Sequence, residues 1–475
     1  STLVTAAGWS VAHPDHFTLN PQPSTLNLQP STLPMPDPKR EFAVEVVRRL
    51  REGGHVALWA GGCVRDFLLG RTPKDYDVAT DARPEQVREL FGERRTRAVG
   101  ASFGVILVHG PRGAGSIEVA TFRTEGPYSD SRRPDTIAFA TAEEDARRRD
   151  FTINGIFYDP LAQRVLDFVG GEEDLGKGVV RAIGDPRARM TEDKLRLLRA
   201  VRFAAMLDFE LDPATAEAVR EMAPQIHLVS AERIAQELKR MLVDPHRMRA
   251  VRLARELGLL AEILPELFAG VQAVGVQASA CTPAERAPDS LKAELQHSLK
   301  AELQLDRTLH MLQHLDEPRF EPALAALLHT VPDAAAEICR RLRLSNHETD
   351  DVVWLLEHRD ALDDAPRLSK SRLKRLLAHR LFEDLLRLER VKLLAAGDDL
   401  APVLFCEDYL RTTPREEIDP PPLVTGNDLI AEGLVPGPRF KEILEAVRDA
   451  QLEGEVATRE EALALVDRLS SNRGD

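Results

Sequence analysis

The sequence predicts an α+β protein in which a small mixed-sheet head precedes a helical neck, body and tail. Strand-like segments are confined to residues 40–180, where they alternate with helical segments. From about residue 185, Leu, Ala, Arg and Glu recur at helical spacing to the end of the sequence. A chain of 475 residues, 43% of them hydrophobic, can bury several cores. These observations predict several domains rather than one.

Composition excludes several classes of protein. No apolar run approaches the ~20 residues of a membrane span, and no basic start followed by an apolar core indicates a secretory signal. The cysteines at positions 63, 281, 339 and 406 form no CxxC pair, which argues against a disulfide framework or a zinc site and favours a cytoplasmic location. A net charge of −14 argues weakly against general coating of nucleic acid, but it leaves room for a local basic surface.

Residues 1–36 are predicted to be disordered. They are poor in charge and rich in Pro, Ser, Thr and Asn, and a seven-residue echo occupies positions 18–24 and 25–31. Such a composition buries too little apolar surface to offset the entropy of ordering. Met35 stands just before the first helical pattern, Arg40–Arg51, so we expect natural translation to start there.

The head is predicted over residues 37–180 as helices mixed with six strands. The strand candidates are 55–60, 75–79, 103–109, 116–123, 152–158 and 164–168.

The stretch LWAGGCVRDFLLGRTPKDYDVAT, residues 58–80, is the most informative in the head. It reads as a buried strand, a Gly61-Gly62 turn, a short helix over Cys63–Leu69 and a second strand that carries Asp75 and Asp77. Alternate side chains of a strand share a face, so these two carboxylates are expected to point the same way, roughly 7 Å apart. Hard oxygen ligands of this kind suit Mg²⁺ bound with the phosphates of a nucleotide.

The turn in front of this helix suits a phosphate group. Glycines let the backbone approach a ligand closely, and the start of a helix carries partial positive charge. Arg65 is then expected on one side of a pocket and the two aspartates on the other.

The motif GGxVRDxLLG followed by DxD resembles class II tRNA CCA-adding enzymes and bacterial poly(A) polymerases. The resemblance runs from about residue 40 to the end, is strongest over 55–265, and implies a nucleotidyltransferase head. In such a head Gly61, Gly62 and Arg65 would cradle phosphates, while Asp75 and Asp77 would hold two Mg²⁺ ions.

Glu118 is the candidate for a third acid. It lies in the alternating strand IEVATFR, and the sequence IEVATFRTEG resembles the corresponding strand of this family. Its carboxylate is expected to help hold metal or to accept the proton of the primer hydroxyl. The alternative is a surface glutamate on an edge strand.

A second constellation is RRRDFTIN, residues 147–154. Cations followed by an aspartate at a strand entrance suit phosphates and a ribose hydroxyl pair, although a basic cluster alone is usually a solvated face. RRDFTIN resembles a family motif whose last Arg and Asp contact the nucleotide, which implies that role for Arg149 and Asp150. Asn154 is expected to tie loops together.

A third constellation is a helix predicted to begin at Thr191, its N-cap, with Glu192 and Asp193 in its first turn. Three arginines, Arg196, Arg199 and Arg202, line one stripe, which on its own indicates an amphipathic helix with ion pairs on its wet side. EDxxRxxRxxRF, however, resembles the base-selecting helix of the family. The resemblance implies that Asp193 and Arg196 read the base, while Arg199 and Arg202 support the phosphates or that pair.

The remainder is predicted as a neck (181–268), an insertion (269–305), a body (306–390) and a tail (391–475). The neck helix that opens at Ser230 either supports the pocket or is a plain capped helix. SLKAELQ occurs twice in the insertion, at 290–296 and 298–304. The body, with His310, His314 and His329, resembles an HD phosphohydrolase domain, but Thr330 replaces its metal-binding aspartate, so a structural remnant is expected. The tail either contacts the outer region of tRNA or caps the chain.

These features predict an enzyme that adds CMP and AMP from CTP and ATP to the 3′ end of tRNA by metal-dependent nucleotidyl transfer. A bacterial poly(A) polymerase, or an enzyme that adds only CC or only A, is the nearest alternative. A phosphohydrolase acting from the body is disfavoured by Thr330, and a non-catalytic RNA-binding protein by the intact DxD. The partners expected are tRNA, CTP and ATP, without a membrane; no pattern in the sequence sets an oligomeric state.

Overall fold

The computed structural model of the protein describes residues 37–99, 104–125, 137–268, 303–317 and 319–471. The segment expected to be disordered, 1–36, and most of the predicted insertion lie outside these residues. The chain divides into two compact units, residues 1–121 with 156–177, and residues 122–155 with 178–475. Residues 122–155 thus belong with the helical part, whereas the sequence placed the boundary at 180.

Eleven strands are formed by the described residues, more than the six expected. They are Ala57–Ala60 (β1), Asp77–Thr80 (β2), Thr96–Ala98 (β3), Val105–His109 (β4), Ser116–Thr121 (β5), Arg123–Glu125 (β6), Ile137–Phe139 (β7), Phe157–Asp159 (β8), Arg164–Leu166 (β9), Val179–Val180 (β10) and Glu210–Leu211 (β11). The added strands are only two or three residues long, too short to leave an alternating pattern in the sequence.

Twenty-two helices are found in the described residues. They are Pro38–Glu52 (α1), Gly62–Leu68 (α2), Pro84–Phe91 (α3), Ala142–Arg147 (α4), Gly171–Lys177 (α5), Pro186–Glu192 (α6), Arg196–Leu207 (α7), Pro213–Met222 (α8), Ala231–Leu242 (α9), Arg247–Glu256 (α10), Leu259–Ile263 (α11), 303–314 (α12), Phe320–Leu328 (α13), Ala335–Arg341 (α14), Asn346–Glu357 (α15), Lys370–Ala378 (α16), Phe382–Ala396 (α17), Ala401–Thr412 (α18), Arg415–Ile418 (α19), Gly426–Ala431 (α20), Pro438–Glu453 (α21) and Arg459–Ser471 (α22).

The first unit is built on a seven-stranded sheet in the order β3-β4-β5-β2-β1-β8-β9. β2 and β5 run parallel, and the other neighbours are antiparallel, so the sheet is mixed as expected. β1 is buried along its whole length, because it lies near the middle of the sheet. The predicted α+β class, with a mixed-sheet head and a mainly helical remainder, is confirmed.

The strand predicted over residues 152–158 is wrong in its first half. Residues 152–154 form a single 3₁₀ turn, and pairing in the sheet begins only at Phe157. The three residues of the turn are all buried, so an apolar run that reads as a strand is here a buried turn.

The second unit is mainly helical, and its tail has a core of its own. The buried residues of that core are Val424, Leu429, Ile443, Val447, Ala450, Val456, Ala462 and Val466. No helix among the described residues is long and apolar enough to cross a membrane.

The body buries a carboxylate without a full set of hydrogen bonds. Glu389 is fully buried, and neither of its oxygens has a well-aligned hydrogen-bond donor among the described residues, although Lys392 Nζ lies 2.5 Å from Oε2. Burial raises the pKa of Glu389 to about 7, and the attraction of Lys392 offsets only part of that rise. The nearby His329 instead has its pKa lowered by burial, and its Nδ1 lies 2.9 Å from Ala326 O and 3.3 Å from Thr308 Oγ1.

Glu389→Gln is expected to stabilise the protein at pH 8. The folded-state pKa lies above the ordinary value of 4.5, so the wild type loses stability as the pH rises from about 4.5 through 7. Glutamine removes this loss, an effect on the order of 1–3 kcal/mol. Lys392 Nζ keeps its bonds to Arg359 O (2.6 Å) and Asp360 Oδ1 (3.1 Å).

Urea unfolding between pH 5 and pH 8 measures this effect. Glu383→Gln, on the exposed side of the same helix, is the matched control and should follow the wild type. Parallel pH profiles for wild type and Glu389→Gln would show that the carboxyl of Glu389 does not titrate in this range in the folded protein.

Candidate active site

The part of the candidate site that lies in the first unit includes the Gly61-Gly62 turn. Gly61 has φ 72° and ψ −135°, a backbone conformation that favours glycine. The short helix α2 follows at once, with the backbone N–H groups of Val64 and Arg65 bonded to Gly61 O at 3.1 and 3.2 Å. Arg65 Nη2 lies 3.7 Å from the position of a Cβ on Gly62, while Arg65 Nε donates to Asp66 Oδ1 at 2.8 Å. The turn and the guanidinium of Arg65 are therefore adjacent, and the placement of Arg65 across a pocket from the two aspartates stays a prediction.

Tyr76 anchors the segment that carries the two aspartates. Its side chain is buried, its ring centroid lies 4.8 Å from that of Trp59, and its hydroxyl donates to Asp37 Oδ2 at 3.2 Å. Burial, reinforced by the neighbouring Asp37, raises the pKa of the Tyr76 phenol. With the residue between them buried, Asp75 and Asp77 are both exposed. β2 begins only at Asp77, so Asp75 precedes the strand instead of lying in it.

Asp75 is held by the first helix of the unit. Lys39 Nζ lies 2.5 Å from Asp75 Oδ1 and donates to Lys74 O at 2.9 Å. The side chain of Asp75 nevertheless stays 81% exposed, which leaves its carboxylate open to a ligand.

Asp77 and Glu118 lie opposite each other on neighbouring strands. The parallel register of β2 and β5 pairs Asp77 with Glu118 and Val78 with Val119. Both carboxylate residues are exposed, whereas Val78 and Val119 are buried, so the two acids share the solvent-facing side of the sheet. In the sequence, a functional role for Glu118 rested on the family resemblance. The strand register now places Glu118 directly beside Asp77.

The donor set fits Mg²⁺. Carboxylate oxygens are hard ligands, and Mg²⁺ is usually held by one or two carboxylates together with substrate phosphates and water, not by a complete protein cage. Within the described ranges, no group of three or more His, Cys, Asp or Glu residues is gathered closely enough to form such a cage. Exposed Asp75 and Asp77, with Glu118 beside Asp77, suit an ion that arrives with a nucleotide.

In the second unit, the arginine cluster surrounds a buried aspartate that the sequence analysis did not single out. Asp145 accepts from Arg148 Nη2 at 2.7 Å and from Arg149 Nη2 at 2.9 Å. Burial opposes ionisation of Asp145, but Arg149 and Arg148 outweigh it and lower the pKa of its carboxyl. Arg149 also donates to Asn154 O at 3.2 Å. Its contact with a nucleotide stays a prediction.

Asp150 is surrounded by donors. Oδ2 accepts from Arg199 Nε and Nη2 at 2.9 and 2.6 Å, and Oδ1 accepts from Asn154 Nδ2 at 3.1 Å and Phe151 N at 2.8 Å. Burial alone would raise the pKa of Asp150, but Arg199 and the other donors lower it to about 2. Because a carboxylate has about four acceptor positions, a ribose hydroxyl would have to replace one of these partners.

The helix predicted from Thr191 is in fact two helices. α6 begins at Pro186, the side chain of its N-cap Asp185 accepts from Ala188 N, and Thr191 lies in its last turn. Asp193 occupies the break, and its Oδ1 accepts from Leu195 N at 3.0 Å as α7 starts. The prediction of an N-cap at Thr191 is therefore wrong, because Asp185 followed by Pro186 makes the stronger helix start.

The three arginines of α7 each have a carboxylate partner. Arg196 bonds to Glu192 and to the backbone oxygen of Arg189, while Arg199 bonds to Asp150. Arg202 Nε lies 2.5 Å from Glu237 Oε2. Arg196 and Arg202 are buried, so the stripe is not the wet face that periodicity alone would suggest.

The structure does not pair Asp193 with Arg196. Asp193 is instead bonded to Arg233 of α9, through Nη1 to Oδ1 at 3.0 Å and Nη2 to Oδ2 at 2.7 Å. Arg233 and the buried Glu237 lie in the neck helix that was expected either to support the pocket or to be a plain capped helix, but neither residue was predicted individually. Their spacing of four residues on one helix is also typical of a surface ion pair.

Comparison with known proteins places three families along the chain. Residues 57–181 match the family described as "Poly A polymerase head domain", and residues 208–270 match "Probable RNA and SrmB- binding site of polymerase A". Residues 321–466 match "tRNA nucleotidyltransferase domain 2 putative".

The similar proteins include poly(A) polymerases and CCA-adding enzymes, and most of those compared, of both kinds, align over 47–48% of the chain. Poly(A) polymerase I of Haemophilus influenzae is 39% identical over 239 residues, which cover 48% of this chain and 52% of that protein. The matched stretch thus spans about half the length of the poly(A) polymerases. The CCA-adding enzyme of Geobacillus kaustophilus is 33% identical over 431 residues, 90% of this chain and 96% of that protein.

Solved structures of similar fold include two CCA-adding enzymes. The enzyme of Bacillus stearothermophilus in complex with CTP has a TM-score of 0.69 at 29% identity, over 92% of this chain and 99% of its own. The Thermotoga maritima enzyme complexed with tRNA has a TM-score of 0.56 at 20% identity, over 90% and 94%. At 20% identity, the similarity to the Thermotoga maritima enzyme is evidence for the fold alone.

Proposed function

Because the chain belongs to the family of CCA-adding enzymes and bacterial poly(A) polymerases, we propose that it adds CMP and AMP from CTP and ATP to the 3′ end of tRNA. The observation that favours tRNA as the substrate is the length of the alignment with a CCA-adding enzyme. The CCA-adding enzyme of Geobacillus kaustophilus aligns over 90% of the chain, whereas two other CCA-adding enzymes and the poly(A) polymerases align over 47–48%. Residues 321–466 in addition match the family described as "tRNA nucleotidyltransferase domain 2 putative".

Asp75 and Asp77 would hold divalent metal, for which we propose two Mg²⁺ ions. When bound, such ions activate the 3′-hydroxyl of the primer and neutralise charge on the triphosphate. Glu118, beside Asp77 in the sheet, is suited to help hold metal or to take the hydroxyl proton. The 3′-oxygen then bonds to the α-phosphorus, the bond from the α-phosphorus to the leaving oxygen breaks, and pyrophosphate leaves. Gly61, Gly62 and Arg65 would receive the phosphates.

Asp193 would choose the base. Its carboxylate can accept a hydrogen bond from the exocyclic amino group that cytosine and adenine share, and it repels a carbonyl oxygen at that edge. Arg196 would read the base together with Asp193, and Arg199 and Arg202 would support the phosphates or that pair. Arg149 and Asp150 would contact the nucleotide. We also infer a reducing, cytoplasmic setting, since the three cysteines within the described residues are buried as thiols that form no disulfide.

The decisive experiment offers tRNA transcripts that lack CCA, lack A, or are complete, with each nucleotide alone and in pairs, and sequences the products. Addition that stops after CCA is the expected result. Long A tails on unrelated RNA would instead indicate a poly(A) polymerase, and products that end after CC or need a preformed CC would indicate a partial enzyme.

Asp193→Ala is expected to relax the choice of nucleotide. Loss of one good base contact removes about 1–3 kcal/mol of discrimination, so misaddition of UMP and GMP should rise about tenfold or more. The ratio of kcat/KM for CTP over UTP measures it. Glu217→Ala, which removes a half-exposed carboxylate of α8, is the control and should keep the wild-type ratio. An unchanged ratio in Asp193→Ala would remove Asp193 from base selection.

A further inference from the structure

A row of four paired residues crosses the open face of the sheet in the first unit. Asp77 pairs with Glu118, Glu118 pairs with Leu107, and Leu107 pairs with Arg97 of the edge strand β3. Residues that are directly opposite each other on neighbouring strands point to the same face. Asp77, Glu118 and Arg97 are exposed and Leu107 is half-buried. A guanidinium therefore shares one open face with the two carboxylate residues of the candidate site.

Arg97 is not bound to another side chain in the part of the chain that the structure describes. Its guanidinium has neither an ion pair nor a hydrogen bond within the described ranges. Arg88 of the same unit, by contrast, lies 3.1 Å from Glu93. A charged residue on an edge strand can simply discourage pairing with another chain. That role requires a polar side chain at the edge, but it does not require the face that carries the acids.

The position of the Gly61-Gly62 turn indicates the side from which an RNA end approaches. β1 is antiparallel to β2 with Trp59 opposite Val78, so the turn that follows β1 begins beside Asp77. β5, with Glu118, flanks β2 on its other side. The attacking and leaving oxygens of phosphoryl transfer lie roughly in line. With the triphosphate at the turn, the 3′-hydroxyl approaches from the side of Glu118, and the strand behind it passes over β4 and β3.

We propose that Arg97 binds a backbone phosphate close to the 3′ end of the RNA and so positions the terminal hydroxyl at Asp77 and Glu118. This inference rests on the proposed function and adds an RNA-binding residue to it. Neighbouring strands are about 4.8 Å apart, so the backbone of Arg97 lies about 10 Å from that of Glu118 and about 14 Å from that of Asp77. These separations place Arg97 behind the terminal ribose, where the guanidinium can donate two hydrogen bonds to one phosphate.

The side chains beside Arg97 suit a sugar or base rather than a second phosphate. Leu107 lies between Glu118 and Arg97 in the row, and Val99, two residues after Arg97 on the same strand face, is 45% exposed. Apolar contacts of this kind do not distinguish one base from another, and a phosphate contact carries no sequence information either. Arg97 is therefore expected to contribute to RNA affinity and not to the choice of nucleotide.

The test compares Arg97→Gln with Arg88→Gln in the full-length protein, because glutamine keeps the edge strand polar. For tRNA that lacks the terminal A, we expect Arg97→Gln to raise KM about tenfold, the usual worth of a hydrogen bond to a charged group. The KM for ATP and kcat should stay within about twofold of the wild type. Arg88→Gln should leave all three constants unchanged, since Arg88 lies on α3, which packs against β4 and β5.

Salt dependence distinguishes a phosphate contact from a change in protein structure. Fluorescence anisotropy without nucleotide, over a series of KCl concentrations, gives the slope of log affinity against log salt. Loss of one phosphate contact should make this slope shallower by about 0.7 in Arg97→Gln. Arg97→Lys keeps the charge and should retain most of the affinity and the wild-type slope, since lysine binds phosphate as a point charge.

Neutral phosphates identify the contact directly. In tRNA with a methylphosphonate at one linkage at a time near the 3′ end, one linkage should weaken binding to the wild type about tenfold. The same linkage should have no further effect on Arg97→Gln, because the partner of that phosphate is already gone.

Wild-type affinity and salt slope in Arg97→Gln, or additive losses at every linkage, would overturn the inference, leave Arg97 as an edge-protecting residue and keep the proposed function intact. If Arg97→Gln fails to fold, the linkage scan on the wild type decides: a sensitive linkage supports the inference, and its absence overturns it. Long A tails on unrelated RNA would instead overturn the proposed choice of tRNA, and the same binding measurements on that RNA would then test Arg97.

Discussion

Asp77→Ala is expected to lower the rate of nucleotide addition by a factor of about 1,000 or more, and Asp75→Ala is expected to do the same. Positioning and metal charge supply most of the catalysis in phosphoryl transfer, and loss of a metal ligand removes several kcal/mol of transition-state stabilisation. Each 1.36 kcal/mol corresponds to a factor of about ten. Both side chains are exposed, so their removal should leave the melting temperature almost unchanged.

Single-turnover rates with tRNA that lacks the terminal A, measured with ATP, give this effect without a contribution from product release. Glu93→Ala removes an 83%-exposed carboxylate from the same unit and should react at the wild-type rate. Activity within tenfold of the wild type in both aspartate variants would show that the DxD does not carry the reaction.

Glu237→Ala is expected to destabilise the second unit by about 3–5 kcal/mol, the usual consequence of leaving a buried charge without its partner. Glu237 is 1% exposed and lies 2.5 Å from Arg202, 3.0 Å from Arg240 and 3.8 Å from Arg199. Burial lowers the pKa of Arg202, and Glu237 offsets only part of this. Without Glu237, the guanidinium of Arg202 would stay buried with no carboxylate beside it.

Urea unfolding measures this loss, and Glu232→Ala is the control, since Glu232 lies on the exposed side of the same helix. The double variant Arg202→Met, Glu237→Met should be more stable than Glu237→Ala, because it removes the stranded charge and fills its space. Equal stability of Glu237→Ala and Glu232→Ala would mean that Arg202 finds another partner or water.

Local patterns predicted the first unit well. The Gly-Gly turn, the short helix and the exposed-buried-exposed order of Asp75, Tyr76 and Asp77 all follow from neighbouring residues, and the structure has each of them. The pairing of Asp77 with Glu118 depends on the parallel contact of two strands about forty residues apart, which no local pattern encodes.

The second unit was predicted less completely, because its key contacts are distant in sequence. The resemblance implied that Asp193 and Arg196 read the base, which stays a prediction, whereas no local pattern indicated that Asp193 would be bonded to Arg233 of another helix. In the same way, Asp150 is hydrogen-bonded to Arg199, which lies 49 positions further along the chain. Such pairs depend on how helices pack, and a periodic stripe of arginines has the same appearance whether it faces water or buried carboxylates.

The most direct test of the account is the position of bound metal. Crystals grown with Mn²⁺ and a non-hydrolysable CTP analogue should give anomalous scattering from metal about 2.0–2.2 Å from carboxylate oxygens of both Asp75 and Asp77, with the triphosphate on the same ions. Metal bound elsewhere, or a triphosphate seated away from these two aspartates, would contradict the account.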